Sequence, residues 1–185
     1  MRKRLKDVAE IRFCLAPRTV ADKQHKVLTP IKLLQNNVID GFVLDNKIRA
    51  DSTTKINCDD IIIKRISPSF VNYVEFIEDD VYAAGNLIIV TATEVDAKFL
   101  ACILNTEILQ ITQSQTGSKI PSVGRSDLEE IQVPILPMNK QKAIGELWQK
   151  SITLYKLKSR LNELELAKTQ GMLGKMLDGG KSDVG

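Results

Sequence analysis

From Asn139 to about Leu177 the chain contains no proline, and within that run Leu147, Leu154 and Leu161 stand seven apart, with Leu157 and Leu164 three residues after the last two. This is the a and d spacing of a coiled coil. A helix of ~38 residues is ~57 Å long, more than a head made from the preceding residues can cover, so its leucines are expected to need a second helix. Lys150, Lys168 and Gly171 interrupt the seam, which then drifts to Met172, Leu173, Met176 and Leu177. An uneven two-helix packing is therefore expected, in place of a long parallel zipper. The competing reading is a terminal helix folded back on its own domain.

The residues before this helix have a different period. LKDVAEIRF, from Leu5 to Phe13, reads as a short helical turn followed by an extended segment that buries Val8, Ile11 and Phe13. In IKLLQNNVIDGFVLDNKI two apolar pieces flank Asp40-Gly41, a dipeptide suited to a tight hairpin, which predicts two strands. Ile61 to Ile63, the alternating Val71 to Ile77 and Leu87 to Ala92 add three β-rich runs. Then Val95, Phe99, Leu100, Ile103, Leu104, Ile108 and Ile111 recur at steps that place most of them on one broad helical face, predicting a helix packed on the sheet. Gly117 marks its exit. Pro134 and Pro137 frame a segment that cannot be a central strand, because proline has no amide hydrogen to donate, and Asn139 is suited to cap the long helix. The expected architecture is α+β: a mainly β domain with a packed helix over residues 1–138, a helical spacer over 139–178 and a flexible tail over 179–185.

A chain of 185 residues with 43% hydrophobic and 26% charged residues has a globular composition. No apolar run approaches the ~20 residues that span a bilayer, and the charges of LKDVAEIRF preclude a signal-peptide core. These features predict a cytoplasmic protein without membrane contact. Cys14, Cys58 and Cys102 are far apart, form no CxxC, and have one histidine to assist them, so a structural zinc site is not expected. The formal charge of +3 is unevenly spread: residues 1–65 carry 14 Lys/Arg against 8 Asp/Glu, whereas residues 66–118 carry Lys98 alone against 7 acids. A polyanionic partner would face the first half and avoid Glu75, Glu78, Asp79 and Asp80.

Catalytic motifs are sparse. His25 lies in a polar run with lysines around it, and neither a Walker A loop nor GxGxxG after a strand is present. A Gly-rich methyl-donor loop and the Asn/Asp-Pro-Pro-aromatic tetrapeptide of amino-methyltransferases are likewise absent, so no catalytic residue, metal site or bound cofactor is expected. Asp96-Ala97-Lys98, with Glu78 to Asp80 upstream, has the residue types of a Mg²⁺-dependent nuclease. That resemblance is slight, because at a predicted helix N-terminus Glu94 and Asp96 are explained by the helix dipole. Asn36, Asn37, Asn72, Asn86 and Gln115 carry amides of the kind that read base edges. The loop GSKIPSVGRS offers freed backbone amides, hydroxyls at Ser118, Ser122 and Ser126, and the cations Lys119 and Arg125, the groups that position a phosphate. Lys64-Arg65, at the end of the Ile61 strand, adds two further candidate cations.

Several segments, in order, resemble the specificity subunit of type I restriction-modification systems. They are LKDVAEIRF, INCDDIIIKR, AAGNLIIVTA, VDAKFLACILNTE, GSKIPSVGRSDLEEIQVPILPMNKQKAIGELW and LAKTQGMLGKML. The strongest is Ile-x-Val-Pro-x-Leu-Pro with Gln141 after it. Two departures stand out: Asp59-Asp60 replaces a more usual Gly-Asp, and the basic stretch Arg18 to Lys32 aligns with no pattern. The match is to a half-length form, with one target recognition domain and one conserved helix.

The resemblance implies a non-catalytic subunit that recognises one half-site of double-stranded DNA. Methyltransferase subunits would bring S-adenosylmethionine, and a restriction/translocase subunit would bring ATP hydrolysis. Two chains packed as antiparallel helices would form a homodimer and hold their heads about one spacer length apart, ~57 Å against a DNA turn of ~34 Å. Lys64, Arg65, Ser118, Lys119 and Arg125 are the expected phosphate contacts, and Leu147, Leu154, Leu157, Leu161 and Leu164 the expected dimer seam. The alternative function is a protein-protein adaptor that assembles through the same helix without touching DNA.

Overall fold

The computed structural model describes residues 1–14, 25–28, 38–40, 47–48, 54–77, 81–83, 85–115 and 120–179. The chain divides into two units, Met1–Gln149 and Lys150–Gly185.

In the first unit the opening LKDVAEIRF forms a 3-10 turn, η1 (Leu5–Asp7), and the strand β2 (Ala9–Phe13), as its pattern predicts. Before it, β1 (Arg2–Arg4) has no counterpart in the sequence pattern, because RKR carries no apolar signal. It pairs antiparallel with β10 (Gln132–Pro134), with Lys3 opposite Val133. Pro134 thus ends a strand in a two-stranded sheet, where a missing amide hydrogen costs little.

The central sheet has five strands in the order β2-β9-β6-β7-β4. They include β6 (Asp60–Lys64), β7 (Val71–Phe76), β9 (Leu87–Ala92) and β4 (Val38–Asp40). Antiparallel pairing sets Ile62 opposite both Asn72 and Ile89, so these residues share one face with Val74 and Leu87. That face packs on Val81 and Ala83 of β8 (Val81–Ala83), Ile56 and Cys14 in one apolar cluster. Burial pushes the Cys14 thiol pKa up to about 11. The opposite face presents Ile61, Ile63, Val71, Tyr73, Ile88 and Val90, and α1 (Ala97–Ser114) covers it with Phe99, Leu100, Leu104 and Ile108. Because both faces are covered, Val71 to Val74 are all buried, and the expected strand in VNYVEFI forms as β7.

The expected hairpin about Asp40-Gly41 has its turn and the start of its second arm outside the described residues, and the described strands on either side have these partners. Val38–Asp40 pairs parallel with β7, whereas β5 (Lys47–Ile48) pairs with β3 (His25–Leu28) in a second sheet ordered β5-β3-β8. The short described strands β4 and β5 thus lie in different sheets. Gly41 itself lies outside the described residues.

The helix α2 (Arg125–Glu129) and β10 lead into α3 (Met138–Gly179). This last helix starts one residue before the expected cap, with the Pro137 carbonyl accepting from the Lys140 and Gln141 amides. Its first turns belong to the first unit, and there Gln141 takes the larger part in fixing the start. Only 2% exposed, its side chain accepts from the Asp96 amide at 2.9 Å and donates to the Leu136 carbonyl at 2.8 Å. Gly145 is needed for the same close approach: a Cβ there would stand 2.7 Å from both Lys98 Cβ and the Phe99 backbone nitrogen. The second unit is the remainder of α3, on which Leu154, Leu157, Leu161 and Leu164 are exposed, as is Leu147 on the first-unit part. The tail from residue 180 lies outside the described residues.

Candidate functional site

The strand β6 ends at Lys64, and the chain turns at Arg65, whose amide donates to the Asn86 carbonyl at 2.9 Å. Asn86 takes a left-handed backbone, φ 64°, which asparagine tolerates in a turn. After Arg65, the segment Ile66 to Ser67 is met by the returning segment Pro121 to Val123. Ser67 donates its amide to Pro121, Val123 donates to Arg65, and Ile66 forms a bridge with Ser122. The Arg65 guanidinium closes the same junction, its Nε donating to the Val123 carbonyl at 3.2 Å.

Two residues after Val123, Arg125 opens α2. Its guanidinium lies 4.4 Å from the centroid of the Phe13 ring, and that of Arg65 lies 6.0 Å from the same centroid. Two arginines sixty residues apart in sequence therefore gather around one half-buried aromatic ring at the end of the edge strand β2. A ring face attracts guanidinium cations and leaves their N–H groups able to meet an anion. Arg125 is 59% exposed and also pairs with Glu129 at 3.2 Å, an ion pair of one helical turn. Arg65 is exposed as well.

The other expected phosphate ligands do not all join this pair. Lys64 is half-buried, with its ammonium 5.2 Å from the Phe70 ring centroid. Ser118 and Lys119 lie outside the described residues, as do Asn36 and Asn37. Among the amides considered for base reading, Asn72 is buried in the sheet, and Gln115 is bound on both sides of its amide by the Ser122 backbone at 2.9 Å. Phe13, a core residue by its pattern, is instead the ring around which the arginines meet. Nothing in the local sequence separates those two fates, since both suit an apolar residue at the end of a strand.

The basic N-terminus is largely engaged within the fold. Lys3 pairs with Glu94, Arg4 with Asp7 and Glu130, and Lys6 with Glu130. Hydrogen bonding to Arg4 holds the Asp7 carboxyl below its usual range, and hydrogen bonding to Lys6 does the same for Glu130. Arg12 reaches Asp60, a fully buried carboxylate that also accepts from the Asn57 amide and the Thr91 hydroxyl. The nuclease-like Asp96 and Lys98 have structural work to do. The Asp96 carboxylate accepts from the Phe99 amide and caps α1, and the Lys98 ammonium lies 5.8 Å from the Tyr73 ring centroid. Among the described residues no helix is long and apolar enough to cross a membrane.

The family model described as type I restriction modification DNA specificity domain matches residues 1–166. Comparison with curated proteins gives no match. A chain solved to explain complex assembly and conformational transition of the type I R-M system has a similar fold, with a TM-score of 0.65 at 15% identity over 95% of this chain and 45% of that one. The HsdS subunit from Thermoanaerobacter tengcongensis gives a TM-score of 0.60 at 14% identity, over 90% of this chain and 43% of that one. The type I restriction-modification system S subunit from M. genitalium gives 0.55 at 14%, over 92% and 44%. The chain thus spans less than half the length of each of these structures.

Proposed function

The chain belongs to the type I restriction modification DNA specificity domain family, and from that premise we propose that it is a non-catalytic subunit that reads one half-site of double-stranded DNA. The observation that carries this reading is the convergence of Arg65 and Arg125 at Phe13. Two exposed, delocalised cations beside the half-buried junction of Ile66 and Ser122 suit a phosphate backbone, which positions a reader without specifying sequence. Lys64, Ser118 and Lys119 are the further phosphate ligands in this reading. Residues 1–138 act as the recognition domain, and 139–178 as the spacer. Methyltransferase subunits are recruited and bring S-adenosylmethionine, and a restriction/translocase subunit completes the system. The seam of Leu147, Leu154, Leu157, Leu161 and Leu164 pairs with a second copy in antiparallel fashion, so that a symmetric pair reads inverted half-sites.

The test is selection from a random duplex pool by the full chain, alone and with its methyltransferase subunit, followed by sequencing of the retained DNA. An inverted bipartite motif is expected; retention without sequence preference, or no retention in either form, overturns the reading. The adaptor reading draws on the pairing of Lys3, Arg4 and Lys6 with Glu94, Asp7 and Glu130, which removes basic charge from the N-terminus. It predicts that the methyltransferase subunit is bound while DNA is ignored.

A further inference from the structure

Gln115 is the C-terminal cap that follows α1, with an extended backbone, and its side-chain amide binds at two points seven residues ahead. Nε2 donates to the Ser122 carbonyl and Oε1 accepts from the Ser122 amide, both at 2.9 Å. The side chain thereby imitates a neighbouring strand: it satisfies both backbone groups of Ser122 on one side, while the bridge to Ile66 holds the other. Pro121 to Val123 is clamped between the end of a helix and the end of β6. Both arginines of the site depend on that short segment. Arg65 donates to the Val123 carbonyl, and Arg125 follows Val123 by two residues at the start of α2.

We propose that Gln115 is a positioning residue for DNA binding, holding Pro121–Val123 so that Arg65 and Arg125 meet at Phe13 in the geometry that grips the phosphate backbone. This rests on the DNA reading given above, and it removes Gln115 from the residues that read base edges. The edge of the amide that carries an N–H and an oxygen lone pair side by side is bound to Ser122, so it is not open for bidentate reading of a base. Loss of the clamp frees the segment and loosens the arginines without removing any charge from the protein.

The test is a mutant cycle on the full chain, with its methyltransferase subunit wherever the DNA complex needs it. Gln115→Ala is expected to weaken binding to all duplexes alike by roughly fivefold and to lower the salt slope by up to ~1, with the preferred sequence unchanged. In a background already carrying Arg65→Ala and Arg125→Ala the same substitution is expected to have no further effect, because the groups it positions are gone. An unchanged slope, or an equal loss in both backgrounds, overturns the proposal and leaves the DNA reading intact. A changed sequence preference returns Gln115 to base reading and also overturns it. Wild-type protein without salt-dependent duplex binding removes the DNA reading, and the proposal falls with it. Should Q115A not fold, Gln115→Asn, one methylene too short to reach both groups of Ser122, takes its place in the cycle.

Discussion

Asp59 has a backbone φ of 67°. A left-handed conformation is strained for a residue with a Cβ, and it persists here because the surroundings hold it. The Asp59 amide donates to the Val74 carbonyl, and its carboxylate accepts from the Tyr73 hydroxyl. That hydrogen bond adds to burial in raising the Tyr73 pKa. Both Asp59→Gly and Asp59→Ala lose the tyrosine partner, but alanine keeps the strain. Alanine is expected to be less stable than glycine by about 1 kcal/mol, measured as a difference in urea midpoints at constant m-value. For the arginine pair, Arg65→Ala and Arg125→Ala are each expected to lower the salt slope of duplex binding by ~0.9 for every phosphate left unneutralised, without changing the preferred sequence. Isothermal titration at several salt concentrations measures it. Arg125 was legible as a candidate because a cation between glycine and serine suits phosphate, and Arg65 because it is a cation at the end of a strand. Their shared ring and the Gln115 clamp were not, since both depend on the meeting of segments that no local pattern records.

At the scale of elements, the two glycines 145 and 171 of α3 should respond to alanine with opposite signs. Gly171 meets nothing within 4 Å, so Gly171→Ala is expected to stabilise the helix by up to ~1 kcal/mol through propensity alone. At Gly145 the new methyl would press on the Phe99 backbone and on Lys98 Cβ, and neither can yield as the end of a flexible side chain does. Gly145→Ala is expected to cost about 1–3 kcal/mol despite the better propensity. Thermal unfolding followed by circular dichroism compares the two. The attachment of β1 to β10 should depend on pH. Asp7 and Glu130 titrate below their usual range in the folded chain, so their contribution is whole above the ordinary carboxylate pKa of ~4 and is lost as pH falls through the lowered folded values. Protection of the Leu5 amide, which donates to Ile131, is expected to fall across that window in hydrogen exchange. The strands β6 and β9 and the helices α1 and α3 were legible because each is long enough to display its own period. The short β1 and β3 were not, since three or four residues carry no period and their pairing is decided by partners distant in sequence.

For the molecule as a whole, the leucines of α3 are the most consequential surface, and their role tests the assembly by itself. Leu147, Leu154, Leu157, Leu161 and Leu164 are 52% to 71% exposed, so about half or more of each side chain meets water in the single chain. Covering such a remainder is worth about 1 kcal/mol per side chain. In a symmetric pair each substitution counts twice. Leu154→Lys with Leu161→Lys therefore removes four leucines from the proposed interface and weakens it by at least ~4 kcal/mol, nearly a thousandfold in the dissociation constant. Wild-type protein is expected to sediment as a dimer at micromolar concentration and the double variant as a monomer, with the β domain still melting cooperatively. Lys168 and Gly171 interrupt the seam, so substitutions beyond them, such as Met176→Lys, are expected to have a smaller effect than the Leu154 and Leu161 pair. Equal sedimentation of wild type and double variant would leave the leucine seam without a partner helix and end the reading of α3 as a spacer between two copies.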